Sequence, residues 1–231
     1  MGLEGKYVVS ATAENNVQEL NAELYDEIYE IFAWAQKTKP FRATDEELAA
    51  MSQEEKDEAF YQATVNPVKK AMLFSNMNQA QEKLGVRLLQ SDLLELQPDE
   101  QIEMNVFKLK TGMLTGEETR EEIPDGFQIW LRGNYEYPEK ENVTVQLRQE
   151  FMTVAGYPTS ATFTYDEAVK ITTEELGNGI VAQYGADSKT ANAFVSCEGV
   201  ACTIRIQTQN GEVLGKETLE AVMMEILESL R

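Results

Sequence analysis

Between residues 102 and 208 the chain is read as a succession of short strands, and this constrains its fold more than any other feature. The runs 102–110, 127–132, 143–151, 161–165, 179–184, 193–197 and 202–208 are rich in Val, Ile, Thr, Phe and Tyr, and several alternate apolar with polar residues. Turn signals separate them: Pro124-Asp125-Gly126, Gly133-Asn134, Gly156-Tyr157-Pro158, Gly177-Asn178-Gly179, Gly185-Ala186-Asp187 and Glu198-Gly199. After a last turn at Asn210-Gly211, Leu219, Val222, Met223, Ile226, Leu227 and Leu230 fall on one helical stripe, with Glu220, Glu225, Glu228 and Arg231 opposite. Such a helix has an apolar face to bury. Strands that follow one another without intervening helices pair antiparallel, so the expected fold is α+β. It has N-terminal helices, a mostly antiparallel sheet of about six to seven strands, and a C-terminal helix packed on that sheet. A doubly wound nucleotide fold is disfavoured because the βαβ alternation is missing.

The N-terminal third reads differently. Tyr7-Val8-Val9 is a short apolar patch followed by polar linker character. Val17, Leu20, Leu24, Ile28, Ile31 and Ala35 recur at threes and fours and predict a long helix over about 16–37, with Pro40 just beyond it. Tyr25, Phe32 and Trp34 widen its stripe, either as interhelical core or as an interaction surface. Thr44 with Glu47, and Ser52 with Glu55, are capping-box pairs that predict two shorter helices within about 45–64. A further helix is expected at about 76–84, stopped by Gly85, before the buried run Val86–Leu89. The expected organisation is a helical region over 1–66 and an α+β domain over 67–231.

Composition removes several chemistries. There is no histidine, so Ser-His-Asp and Cys-His nucleophile systems and imidazole zinc sites are excluded within this sequence. The net charge is −20, which repels nucleic acid. That charge is spread out, with −9 carried by residues 1–66, and reads as a solvated surface. No apolar run approaches the roughly 18 residues of a membrane span. Met1–Lys6 lacks the basic start and apolar stretch of a signal peptide, and fits either a native start or a chain beginning after a removed anchor. Gly177-Asn178-Gly179 lacks the Lys-Ser/Thr of a phosphate loop. The acids Glu117, Glu118, Glu121, Glu122 and Asp125 read as a solvated loop, with weak calcium binding as the alternative. No cofactor or metal site is expected. A histidine-free hydrolase using paired carboxylates is the remaining enzymatic reading, and the expectation is that the chain is not an enzyme.

Cys197 and Cys202 bracket the Glu198-Gly199 turn. A four-residue loop would pair them within disulfide reach, and a two-residue turn would offset them. Disulfide, buried thiols and a reactive pair all stay open from the sequence.

Phe74–Leu89 looks like an opening in which a short helix of the type "S-x-x-E-A-x-x-x-x-G" leads into an apolar strand. Pro124-Asp125-Gly126-Phe127 is similar to a "P-x-G-(aromatic)" turn, and 171–231 ends on Ile226-Leu227-Glu228-Ser229-Leu230. In these segments the chain, over about residues 68–231, resembles the domain of unknown function 4367 of Gram-positive bacteria. The resemblance implies an extracytoplasmic, non-catalytic domain at the cell surface. It implies sensing or regulation in an anti-sigma-factor-like context, behind a membrane anchor. The alternative is a surface lipoprotein holding a small apolar or cell-wall ligand between sheet and helices. The implied partner is a protein or a small ligand, and the oligomeric state is left open.

Overall fold

In a computed structural model, residues 7–13, 17–28, 50–52, 72–109, 126–140, 142–155, 159–209 and 212–231 are described. The fold is α+β. Nine strands form one antiparallel sheet in the order β2 (Leu73–Phe74), β4 (Ile102–Leu109), β5 (Gly126–Glu136), β6 (Val143–Met152), β11 (Val200–Thr208), β10 (Thr190–Cys197), β9 (Val181–Ala186), β8 (Thr172–Glu175), with β3 (Glu95–Leu96) also pairing with β5. Two meanders, β4-β5-β6 and β8-β9-β10-β11, thus join where β6 meets β11. Between them in sequence β7 (Thr159–Tyr165) leaves the sheet, lies against its outer face, and pairs with β1 (Tyr7–Ala13).

Alternation explains the layering. Along β5, β6 and β11 every second side chain points to an inner face. The C-terminal helix α2 (Lys216–Ser229) buries Leu219, Val222, Met223, Ile226 and Leu227 there, against Val145, Leu147, Ala193, Val195, Ile204 and Ile206. Helix α1 (Met77–Leu84) covers the other half of that face with Ala80 and Leu84 over Ile102, Met104, Ile129 and Leu131. Each such fully buried aliphatic side chain contributes about 1.5–3 kcal/mol of transfer free energy.

Both ends of α1 are specified locally. The Asn76 side chain accepts from the Gln79 amide at 2.9 Å, and Gly85 ends the helix at φ 73°. Asn21 then closes the exposed carbonyls of its last turn, its Nδ2 donating to Glu82 and Lys83 at 3.1 and 3.0 Å. The buried run after it, with Val86, Leu88 and Leu89 inside, is pinned by Gln149. This side chain on β6 is fully buried. Its Oε1 accepts from the Leu89 amide at 2.7 Å and its Nε2 donates to the Leu89 carbonyl at 2.9 Å.

Several elements differ from the sequence reading. Tyr7–Ala13 is a strand rather than a linker, because β7 offers it a seven-residue antiparallel register from Tyr7↔Tyr165 to Ala13↔Thr159. Gly133-Asn134 is not a turn. The strand runs through it, and a Cβ at Gly133 would stand 2.8 Å from the Tyr135 ring, so the glycine makes room for a side chain. Gly185 and Ala186 likewise belong to β9, and the turn begins at Asp187. Eleven strands are present among the described residues, four more than the upper expectation, since β1, β2, β3 and β8 are short or lack apolar alternation. Residues 22–28 are helical, as the long-helix prediction has it for that span. Leu24 and Ile28 are buried in the same core as Phe127 and Ile129, so this helical stretch packs into the sheet's own interior. The predicted start near 16 is too early: residues 17–21 are not helical, because Val17 bridges to Met152 and the Gln18 amide donates to the Met152 carbonyl. Residues 29–37 of that predicted helix, including Phe32 and Trp34, the helices expected within 45–64 apart from residues 50–52, the acidic run at 117–125 and the turns at 156–158 and 210–211 lie outside the described residues.

Cys197 and Cys202 are not joined. The β10–β11 turn has two residues, Glu198 at φ 44° and Gly199 at φ 83°, and the register pairs Cys197 with Val200 and Val195 with Cys202. The cysteines are therefore diagonal on the inner face, where such positions stand about 7–8 Å apart. A disulfide needs closer approach. Burial pushes the Cys202 thiol up to about 12, so it is not a nucleophile at neutral pH. Alkylation without reductant is expected to add two labels after unfolding, with Cys202 protected in the native protein. A chain that takes up no label when unfolded would refute this register.

Candidate functional site

The outer face of the sheet carries the polar half of each alternating strand, and strand pairing decides which of those side chains are neighbours. Across β4, β5, β6 and β11 one row reads Glu103, Arg132, Arg148, Thr203. The next row, across β5, β6, β11 and β10, reads Asn134, Gln146, Arg205, Asn192. On the other side of the first row stand Asn105, Trp130 and Glu150. Arg132 thus faces Arg148 directly, and Arg205 lies diagonal to Arg148. This gathers three guanidiniums on one face of a chain whose net charge is −20.

Like charges opposed in a ladder are unfavourable, so the first two arginines need compensation. Glu103 lies 3.5 Å from Arg132. The Arg148 guanidinium sits 4.6 Å from the centre of the Trp130 ring and 3.2 Å from Glu150, a buried carboxylate that also accepts from Gln128 at 2.5 Å. Phe107, partly exposed, leans on Trp130 with ring centres 4.7 Å apart. Arg205 is different. It is exposed, no carboxylate among the described residues pairs with it, and with the Gln207 amide turned to put its oxygen toward Arg205 the guanidinium N–H groups donate to that oxygen at 3.0 and 3.3 Å. A neutral acceptor leaves the charge uncompensated and available.

Strand β7 forms a wall over this floor. Its inward side chains Ala161, Phe163 and Tyr165 pack on Phe194 and Ala201 of the sheet, and the Tyr165 hydroxyl donates to the Gly185 carbonyl at 3.2 Å. Burial, reinforced by Asp187 and opposed by a hydrogen bond with Asn192, holds the Tyr165 hydroxyl above its ordinary value and keeps it protonated as that donor. Between wall and floor lies a groove of about 380 Å³, within the usual range for a ligand site. Residues Ser160 to Thr164 form one side; Gln146, Arg148, Asn192, Thr203 and Arg205 form the other. The lining offers donors from arginine and amide groups, and hydroxyls that act either way. It is equipped to bind an anionic, hydrogen-bonding ligand.

The residues singled out from sequence lie elsewhere. Tyr25 meets Phe127 edge-on at 5.5 Å and is part of the core. Cys197 and Cys202 face α2 from the opposite side of the sheet. Among the described residues, no group of three or more Cys, Asp or Glu is placed to hold a metal ion, and no helix is long and apolar enough to cross a membrane. The inner layer has a smaller cavity of about 160 Å³, lined by Met77, Leu89, Leu94, Leu96, Ile102 and Tyr135 among others. Arg148 and Arg205 carry no motif that singles them out in the sequence, although the alternation of β6 and β11 places them on the polar face. No family model matches this chain, and no curated protein or solved structure matches it either.

Proposed function

We propose that this chain is a non-catalytic binding module whose outer-face groove recognises a carboxylate-bearing partner. The observation that carries the reading is Arg205, an exposed guanidinium without an acidic partner among the described residues, set beside Arg148 in a polar groove of a strongly acidic protein. A cation kept there against the overall charge favours one sign of ligand and steers its approach. The setting we propose is extracytoplasmic, at the surface of a Gram-positive bacterium and behind a membrane anchor, in sensing or regulation. It rests on the segments that resemble the domain of unknown function 4367. The alternative, a small apolar ligand between sheet and helices, is served less well: the inner-layer cavity of about 160 Å³ is below the roughly 300 Å³ at which ligand sites begin, and the one of about 440 Å³ between residues 21–27, β2 and α1 carries the polar side chains Glu23, Glu27, Gln79, Glu82 and Lys83.

Titration with glutarate at low ionic strength, followed by amide chemical shifts, tests the site. Shifts are expected at Gln146, Asn192, Thr203 and the β7 residues, lost in Arg205→Ala and weakened by salt. Shifts that persist unchanged in Arg205→Ala, or none at all, would overturn the reading.

A further inference from the structure

The wall of the groove is the backbone edge of a strand. Five consecutive residues, Ser160 to Thr164, line it, although successive side chains of a strand point to opposite faces. A run without alternation means that the cavity meets the strand from its side. Strand β7 has β1 as its one partner, and among the described residues no strand pairs with its other edge. Alternate N–H and C=O groups along that edge therefore point away from β1, toward the groove.

Among the described residues the usual defences of a free edge are missing there. Natural sheets blunt edges with lysine, proline, bulges or very short strands. Strand β7 reads Thr-Ser-Ala-Thr-Phe-Thr-Tyr, without a charge or a proline, and its register with β1 is unbroken over seven residues. It is held rigidly as well, by Phe163 and Tyr165 on the sheet below and by the Asp166 amide, which donates to Asp187 at 3.0 Å. An edge that is straight, apolar on its inner side and fixed in place has the form that a further strand adds to.

We propose that β7 takes an extended peptide strand from a protein partner into this groove, with acidic side chains of that peptide turned down onto Arg148 and Arg205. The inference rests on the binding reading above and names its ligand class and mode. About five residues of peptide match the edge at roughly 3.3 Å each. Main-chain bonds to β7 give affinity without regard to sequence. The arginine floor selects: an extended peptide shows alternate side chains to it, so acids two apart reach the two guanidiniums, which are themselves diagonal neighbours.

The test uses the intact chain and the blocked peptide Ac-Val-Glu-Val-Glu-Val-NH2, with its Gln-for-Glu counterpart and a set singly N-methylated along the backbone. Binding is expected to slow hydrogen exchange at alternate amides within 160–164. N-methylation at positions on one edge of the peptide should weaken binding about tenfold, with little effect on the other edge, since one lost hydrogen bond and its steric clash have that magnitude. The glutamine peptide should bind several-fold more weakly. Binding indifferent to N-methylation at every position, or no binding by a protein that still responds to glutarate, would overturn strand addition and leave the carboxylate site standing. Silence toward both probes would overturn both. Edge amides already protected in the free protein at every concentration would show the edge filled by the chain itself. Protection that grows with protein concentration would show a second copy there. Either result refutes a partner peptide.

Discussion

Replacing Gln149 with alanine is expected to lower the unfolding free energy by about 3 kcal/mol. Its amide serves the Leu89 backbone as a neighbouring strand would, satisfying both N–H and C=O where water has no access. Removing it orphans two buried groups, each costing roughly 1–3 kcal/mol. For a chain of this size that is a fall in melting temperature of roughly 6–12 °C. Gln149→Met separates the causes. It keeps most of the volume and restores neither hydrogen bond, so it should lose nearly as much as alanine. Gln149→Glu keeps the acceptor for the Leu89 amide but sets an oxygen against the Leu89 carbonyl, and should be no better. Denaturant midpoints, with hydrogen exchange at Leu89, measure this. A methionine variant as stable as the parent would mean that packing, and not the amide pairing, holds residues 86–91 to the sheet.

That bond also shows where reading the sequence stops. The terminal helix, helix α1 with its glycine stop, and most strands were legible because their signals are local: a period of 3.6 or 2, a stop, a turn pair. The two-residue turn at Glu198-Gly199 was legible as a possibility, and the register then decided the cysteines. Long-range pairing was not legible. Nothing in Tyr7–Ala13 announces a partner some 150 residues away, and Gly133 imitates a turn because its packing reason, the ring of Tyr135, exists only once the strand is formed. The candidate site failed for the same cause. The alternation of β6 and β11 sets Arg148 and Arg205 on the polar face, but only the β6–β11 pairing makes them neighbours, and only β7 crossing that face makes the surface a groove. The aromatic stripe drew attention because it is conspicuous in one dimension; of its members, Tyr25 is core.

Asp187→Ala should cost about 2–3 kcal/mol and should loosen the groove along with the fold. Its carboxylate accepts from the amides of Lys189 at 2.9 Å, Thr190 at 2.8 Å and Asp166 at 3.0 Å, and from the Thr190 hydroxyl at 3.2 Å. It therefore organises the β9–β10 turn and ties it to the end of β7. Charge-assisted bonds of this kind contribute more than neutral ones. Burial alone would raise the pKa of this group, but the Lys189, Asp166 and Thr190 donors outweigh it and hold the carboxyl below its ordinary value of 3.8. A depressed folded-state value gives a definite sign. The stabilisation is complete above the unfolded-state value near 4 and is lost as pH falls through the lower folded-state value. Unfolding free energy should thus decline on acidification below about pH 4, and the part of that slope due to this group should vanish in Asp187→Asn, which retains one acceptor oxygen and no titration. Asparagine should recover part of the stability lost in alanine. In either variant, faster hydrogen exchange at Asp166 and along 160–165 is expected, because the tie from the turn to β7 runs through this carboxylate. An unchanged acid slope in Asp187→Asn would assign the pH dependence to other carboxylates, and unchanged exchange along β7 would mean that Phe163 and Tyr165 suffice to hold the edge in place.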